Sequence, residues 1–302
     1  MYDQNEADIL DYARQIVDNG FPPGVLMIDD NWQENYGIWE FKAEKFDNPK
    51  AMVEKLHSMG FKVMLWVCPF ISPDSENFRM LRDKGYLLKN AEDGVEPAII
   101  KWWNGYSAHL DFTNPEAVQW FKDQLDYLQE TYGVDGFKLD AGDFNHYAQQ
   151  PISTFKKISH VNKLSRLYAE IGLDYPLNEY RACWKLGGEA LAQRLRDKDF
   201  SWEAARTLVP GITIQGILGY PYACPDMIGG GEYKSFLSLN SIDQEMIVRS
   251  AQAHALMPMM QFSVAPWRIL DEKHLEACRK AAWLHKTFGD RSEEHTSELQ
   301  SL

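Results

Sequence analysis

The sequence predicts an α/β chain of the (β/α)8 TIM-barrel class. Three observations carry that prediction. Short apolar runs alternate with helical patterns across residues 1–290, and such alternation builds a mostly parallel sheet. Helix-opening Asn-Pro pairs recur at the same point of the alternation, at Asn48-Pro49 and Asn114-Pro115. Carboxylates, arginine and tryptophan gather where the apolar runs end, which is where these sheets carry their chemistry.

The elements follow in order. Val25-Leu26-Met27-Ile28 reads as a strand, preceded by the breaker cluster Gly20-Phe21-Pro22-Pro23-Gly24 and followed by Asp29-Asp30. Asn48-Pro49 opens a helix whose apolar face is Met52, Val53, Leu56 and Met59, and Gly60 ends it. Lys62 to Cys68 is a buried-strand run. Asn114-Pro115 opens a second helix with the stripe Val118, Phe121, Leu125 and Leu128, closed at Gly133. Val134 to Asp140 is the next strand, and further runs at Pro176-Leu177, Tyr220–Cys224 and Met257–Phe262 are expected to be strands too.

Composition excludes several functions. The 302 residues are 45% hydrophobic, enough for a sizeable core without disulfides or metal. A net charge of −13 with no Lys/Arg cluster argues against nucleic acid and anionic membrane surfaces as partners. No run of 18 apolar residues occurs, so no membrane span is expected within the chain. The first 30 residues show no charged region followed by an apolar one, so no signal peptide is read there. Cys68, Cys183, Cys224 and Cys278 are widely spaced and read as buried free thiols rather than a metal site. Gly229–Gly231 lacks the Lys-Ser/Thr of a phosphate loop. No cofactor or metal is expected. The 10 Trp fit a site lined with flat surfaces, as sugar and nucleobase sites often are.

The strand ends hold the chemistry. Lys138 and Asp140 fall on one side of a strand by its period of two. The ammonium favours the ionised acid, as a nucleophile, a base or a metal ligand; an ion pair internal to the barrel is the plainer alternative. Ala141 and Gly142 are read as leaving room for a ligand. Asp29, Asp30, Trp66, Asp143, Arg181, Asp197 and Asp226 occupy the other strand ends. A single Asp after a strand is commonly a helix cap. Carboxylate, Arg or Trp at six strand ends is harder to explain that way.

Those residues stand in motifs. KLDAGD at 138–143 after TYGVDGF, IDDNWQ at 28–33, FKVMLWVCPF at 61–70, KWWNG at 101–105 and LDFTNPEAVQWF at 110–121 occur in order. RLRDKDFSW at 194–202, LGYPYACPDMIGGG at 218–231 and MPMMQFSVAPWR at 257–268 continue the series. Together they resemble glycoside hydrolase family 31 over residues 1–288, nearest to its myogenesis-regulating glycosidase subgroup. The resemblance implies a retaining α-glycosidase acting on an oligosaccharide or glycoside. Asp140 matches the nucleophile. Asp197 matches the acid/base, preferred over Asp199 for its spacing to Ser201-Trp202. Retention implies carboxyl groups about 5–5.5 Å apart. It also implies Asp140 ionised and Asp197 protonated at rest. For sugar contacts it implies Asp29 or Asp30, Lys138 and Arg181, with Trp66, Trp102 and Trp103 as apolar walls. Asp226 would orient the sugar or a neighbouring Arg.

Departures from the family bear on specificity. Asp143 stands where the subgroup carries Glu, and Gln261-Phe262-Ser263 replaces the Arg-x-His of many α-glucosidases. An α-galactoside thereby competes with an α-glucoside as substrate. A barrel α-galactosidase of a related clan and a non-catalytic sugar-binding relative are the competing readings. The ends carry expectations as well. By the family pattern, Met1 falls just before a helix that a first strand should precede, so an incomplete barrel, poorly soluble or inactive alone, is expected. Residues 291–302 match one reading-frame translation of a sequencing-adapter oligonucleotide and are expected to be a non-native tail after a catalytic barrel at 1–290. For location, the subgroup implies the secretory pathway or ER lumen, with a membrane-anchored lumenal form as the alternative.

Overall fold

Asn-Pro caps and breaker glycines act as their chemistry dictates. In the computed structural model, which describes residues 3–232, 234 and 242–299, the Asn48 side chain accepts from the Ala51 amide, and that of Asn114 from Glu116. Gly133 closes the second of these helices in the left-handed region, at φ 78°, where a side chain is penalised. The chain divides into two compact units, Met1–Arg14 with Gly24–Leu186, and Gln15–Pro23 with Gly187–Leu302.

The first unit carries the β/α alternation. After α1 (Glu6–Asp18), of which only Glu6–Arg14 falls in this unit, come β1 (Val25–Ile28), the hairpin β2 (Gln33–Asn35) and β3 (Ile38–Phe41), then α2 (Pro49–Ser58). Next are β4 (Lys62–Val67), β5 (Phe70–Ile71), α3 (Glu76–Asp83), β6 (Lys89–Asn90), β7 (Ile100–Trp102) and β8 (Gly105–His109). Then follow α4 (Pro115–Tyr132), β9 (Gly136–Leu139), α5 (Phe144–Tyr147), β10 (Ile152–Ser153), α6 (Asn162–Glu170) and β11 (Leu177–Tyr180). Strands β1, β4, β9 and β11 pair in that order, all parallel. Val63 to Val67 are all buried, as in a parallel strand covered on both faces. Met52, Val53 and Leu56 of α2 and Phe121, Leu125 and Leu128 of α4 are buried as their helical spacing requires. Between the parallel strands lie small antiparallel pieces, β2 with β3 and β5-β8-β7.

Gly136 shows how closely β9 meets β11. A Cβ there would lie 1.9 Å from the Leu177 carbonyl oxygen, so backbone must move to admit it. Gly136→Ala is expected to destabilise the protein by about 2–3 kcal/mol, measured by urea unfolding; an unchanged midpoint would contradict this packing.

The second unit contains β12 (Ala192–Arg194), α7 (Trp202–Arg206), α8 (Leu208–Ile217), β13 (Tyr222–Cys224), α9 (Gln244–His254) and α10 (Glu272–Leu299). Strands β12 and β13 are parallel, with Arg194 opposite Cys224. Phe21, Ile247, Val248, Ala251, Leu275 and Cys278 form its core. The strand expected at Met257–Phe262 is reduced to one bridge, Phe262 with Ile228. Pro258 has no N–H for a ladder, and the bridge is held by the Ile228 amide donating to the Gln261 carbonyl. The helix α10 runs on through Leu299, so most of the segment expected to be a tail is helical in backbone; 300–302 lie outside the described residues. Among the described residues no disulfide joins the four cysteines, no His/Cys/Asp/Glu cluster fits a metal ion, and no helix is long and apolar enough to cross a membrane.

Candidate active site

Asp140 follows the last residue of β9, and its surroundings come from the strands on either side. Trp66 on β4 pairs with Lys138 on β9, which sets the Trp66 indole beside the end of β9. The Trp66 Nε1–H donates to Asp140 Oδ2 at 2.8 Å. Asp140 Oδ1 accepts from the Ala141 amide at 2.9 Å, a turn made with Ala141 at φ 65°. Two cations flank the carboxylate: Lys138 Nζ at 3.9 Å from Oδ2 and Arg181 Nη1 at 3.6 Å from Oδ1. With Asp140 7% exposed, its carboxyl group sits in a largely dry setting lined by hydrogen-bond donors and cations.

Three sequence expectations change here. Trp66 is 1% exposed, so it is a donor to Asp140 rather than a wall for a sugar; its ring has no free face. Trp102 is likewise buried, stacked on Phe70 at 4.4 Å. The room expected beside Gly142 is taken by Tyr168, whose Cδ1 would lie 2.8 Å from an added Cβ. The small residues serve the turn after Asp140.

Asp29 and Asp30 part company. Asp29 is more than half exposed and lies 3.7 Å from Lys138 Nζ. Asp30 accepts from the Asn31 amide, Gln33 Nε2 and the Tyr36 hydroxyl, and burial raises its pKa above the ordinary carboxylate value. Tyr36, at the turn between β2 and β3, also accepts from Asn104 Nδ2. Gln4 Nε2 donates to the carbonyls of both aspartates at 2.7 Å.

Arg181 follows β11. It donates to Asp143 Oδ2 through Nε at 3.2 Å and through Nη2 at 2.5 Å. Its guanidinium carbon sits 4.7 Å over the Trp103 ring, a cation–π contact. Trp103 remains 50% exposed, the one tryptophan of this group with open surface. His146 is buried beside Asp143 and Trp103, and burial holds its pKa below the usual imidazole value.

The second unit holds Asp197 and Asp226. Arg194, the last residue of β12, donates to Asp197 Oδ1 at 2.8 Å. Asp226, 1% exposed, accepts from the Lys198 amide through Oδ2 and the Met227 amide through Oδ1. Burial pushes its pKa up to about 6. Asp226 Oδ1 lies 3.9 Å from Arg194 Nη1. The glycines of 229–231 give Asp197 its space: a Cβ at Gly231 would fall 2.2 Å from Asp197 Oδ1.

The first unit therefore gathers Asp29, Asp30, Trp66, Trp103, Lys138, Asp140 and Arg181, and the second gathers Asp197 and Asp226. Sequence reasoning missed Tyr36, Asn104, His146, Arg194 and Lys198. Of these, Arg194 had a legible signal, its spacing of three from Asp197.

A model of the glycosyl hydrolases family 31 TIM-barrel domain matches residues 1–287. The myogenesis-regulating glycosidase of Mus musculus is 35% identical over 88% of this chain and 38% of its own length. Alpha-xylosidase XylQ of Lactiplantibacillus pentosus is 36% identical over 47% of this chain and 18% of its own. Among solved structures, a cycloalternan-degrading enzyme from Trueperella pyogenes, in complex with a covalent intermediate, superposes with a TM-score of 0.82. It is 20% identical, covering 98% of this chain and 46% of that one. The chain thus spans less than half the length of each of these proteins.

Proposed function

The chain belongs to glycoside hydrolase family 31 through its TIM-barrel domain, and from that premise we infer that the protein hydrolyses α-glycosides with retention of configuration. The observation that carries this reading is the carboxylate of Asp140, hydrogen-bonded by Trp66 and Ala141 and flanked by two cations. Such a group is held as an anion, ready to attack the anomeric carbon. Asp197 supplies the proton to the leaving oxygen, and a glycosyl ester forms on Asp140. Asp197 then takes a proton from water, and the sugar leaves with its original configuration.

Exposed Asp29 and the outer face of Trp103 are assigned to the sugar, Asp29 for hydroxyls and Trp103 for an apolar ring face. Lys138 and Arg181 are assigned to hydroxyls near Asp140. The relatives' names include a xylosidase, and Asp143 and Gln261-Phe262-Ser263 depart from the α-glucosidase pattern. The substrate class is therefore an α-galactoside, α-glucoside or α-xyloside. The test uses 4-nitrophenyl α-galactoside, α-glucoside and α-xyloside with protein expressed from the complete reading frame. Proton NMR identifies the first-formed anomer. One substrate turned over to the α-anomer is expected; first release of the β-anomer, or no turnover of any of the three, would overturn the reading.

A further inference from the structure

Arg194 stands between two carboxylates. Its Nη1 donates to Asp197 Oδ1 at 2.8 Å and lies 3.9 Å from Asp226 Oδ1. The side chains of Arg194 and Asp226 are 3% and 2% exposed, whereas that of Asp197 is 43% exposed. An enclosed guanidinium needs a counter-charge, and here two carboxylates are within reach of one nitrogen. Asp226 is anchored by two backbone amides, and its carbonyl takes the His254 ring Nε2 at 2.8 Å.

Other charged and titratable groups lie nearby among the described residues. Lys198, on the loop after Asp197, faces Asp226, while its ammonium donates to the Pro225 carbonyl. Arg196 and Cys224 face Lys198 in turn, and the Cys224 thiol donates to the Asp226 carbonyl. Burial outweighs Lys198 and Arg194 at Asp226, so this carboxylate is incompletely compensated and can accept more of the guanidinium.

This arrangement matters because of the assignment of Asp197 as acid/base, on which the inference rests. That role changes the charge of Asp197 twice in every turnover. We propose that Arg194 is a positioning residue that exchanges partners, pairing with Asp197 while it is a carboxylate and turning to Asp226 while Asp197 carries its proton. In the first step the Asp197 proton passes to the glycosidic oxygen, the C1–O bond breaks and Asp140 bonds to C1. The aglycone leaves as a neutral alcohol, and anionic Asp197 takes Arg194 at the distance seen here. In the second step a water proton passes to Asp197 as the water oxygen bonds to C1 and the Asp140–C1 bond breaks. Arg194 then turns to Asp226.

The experiment is the pH profile of kcat/KM on a methyl glycoside of the preferred sugar, whose departure needs the acid. It is run for wild type, Asp226→Asn, Arg194→Met and Arg194→Lys, each checked for folding by its melting temperature. Asp226→Asn commits Arg194 to Asp197, favouring the carboxylate, so the alkaline limb is expected to move down by about one pH unit. Arg194→Met removes the cation, so the limb is expected to move up by a similar amount, and Arg194→Lys to restore it in part. Should Arg194→Met fail to fold, Asp226→Asn and Arg194→Lys still decide the matter. Lowered rates with unmoved limbs, or shifts of the same sign, would overturn the exchange. Azide added to Asp197→Ala separates the two ideas. An α-glycosyl azide product supports the role of Asp197, so unmoved limbs would then reject the exchange alone. Without that product, the acid/base reading falls and the exchange falls with it.

Discussion

Asp140→Asn is expected to lower turnover by about four orders of magnitude or more while leaving the protein folded. The amide keeps the shape of the carboxylate but cannot form a glycosyl ester. Its cations are not stranded by the change. Lys138 keeps Asp29 at 3.7 Å, and Arg181 keeps its bonds to Asp143. A melting temperature within a few degrees of wild type is therefore expected. Initial rates on the 4-nitrophenyl glycoside and a thermal melt are the measurements. Asp140→Gly adds a chemical signature: azide in the vacated space attacks the face that Asp140 occupied and yields the β-glycosyl azide. More than 1% residual activity in Asp140→Asn, free of wild-type contamination, would remove Asp140 from the role of nucleophile.

Asp197→Ala is expected to show a loss that depends on the leaving group. An alkyl aglycone needs protonation to depart, so a methyl glycoside is expected to lose about a thousandfold in kcat/KM. A 2,4-dinitrophenyl aglycone departs unaided and should lose less than about tenfold. Rates for a series of aryl and alkyl glycosides, plotted against leaving-group acidity, test this. A uniform loss across the series would assign Asp197 a structural part and turn attention to Asp199.

The legible parts of the fold are those governed by local rules. The run from Lys62 and the pairs Asn48-Pro49 and Asn114-Pro115 became a buried strand and two capped helices. Met257–Phe262 misled because apolar content was read without weighing Pro258. The hairpin around Tyr36 was overlooked although Gly37, at φ 94°, marks its turn. The candidate site was legible in its members but not in their partners. Asp140 and Lys138 are two apart, and Arg194 and Asp197 three apart. By contrast, the contact of Trp66 with Asp140 spans 74 residues, and Arg181 and Asp143 are 38 apart. Pairing of β4 and β11 with β9 brings these together, and no local pattern encodes that pairing. Trp66 carried the further ambiguity of every tryptophan: a ring that covers a sugar and a ring that donates one hydrogen bond from the core are identical in sequence.

In the proposed reaction, the Trp66 and Ala141 donors to Asp140 bear on the second half as well as the first. Once the glycosyl ester has formed, the carboxylate is the group that departs from C1. The indole of Trp66 and the amide of Ala141 each address a different oxygen, so whichever oxygen carries the sugar, the other retains a donor. As such an ester breaks, negative charge would return to a group already provided with hydrogen bonds, which would make Asp140 a good leaving group. On the proposed mechanism, the left-handed turn at Ala141, costing about 1 kcal/mol, would serve the release of the sugar as much as its capture.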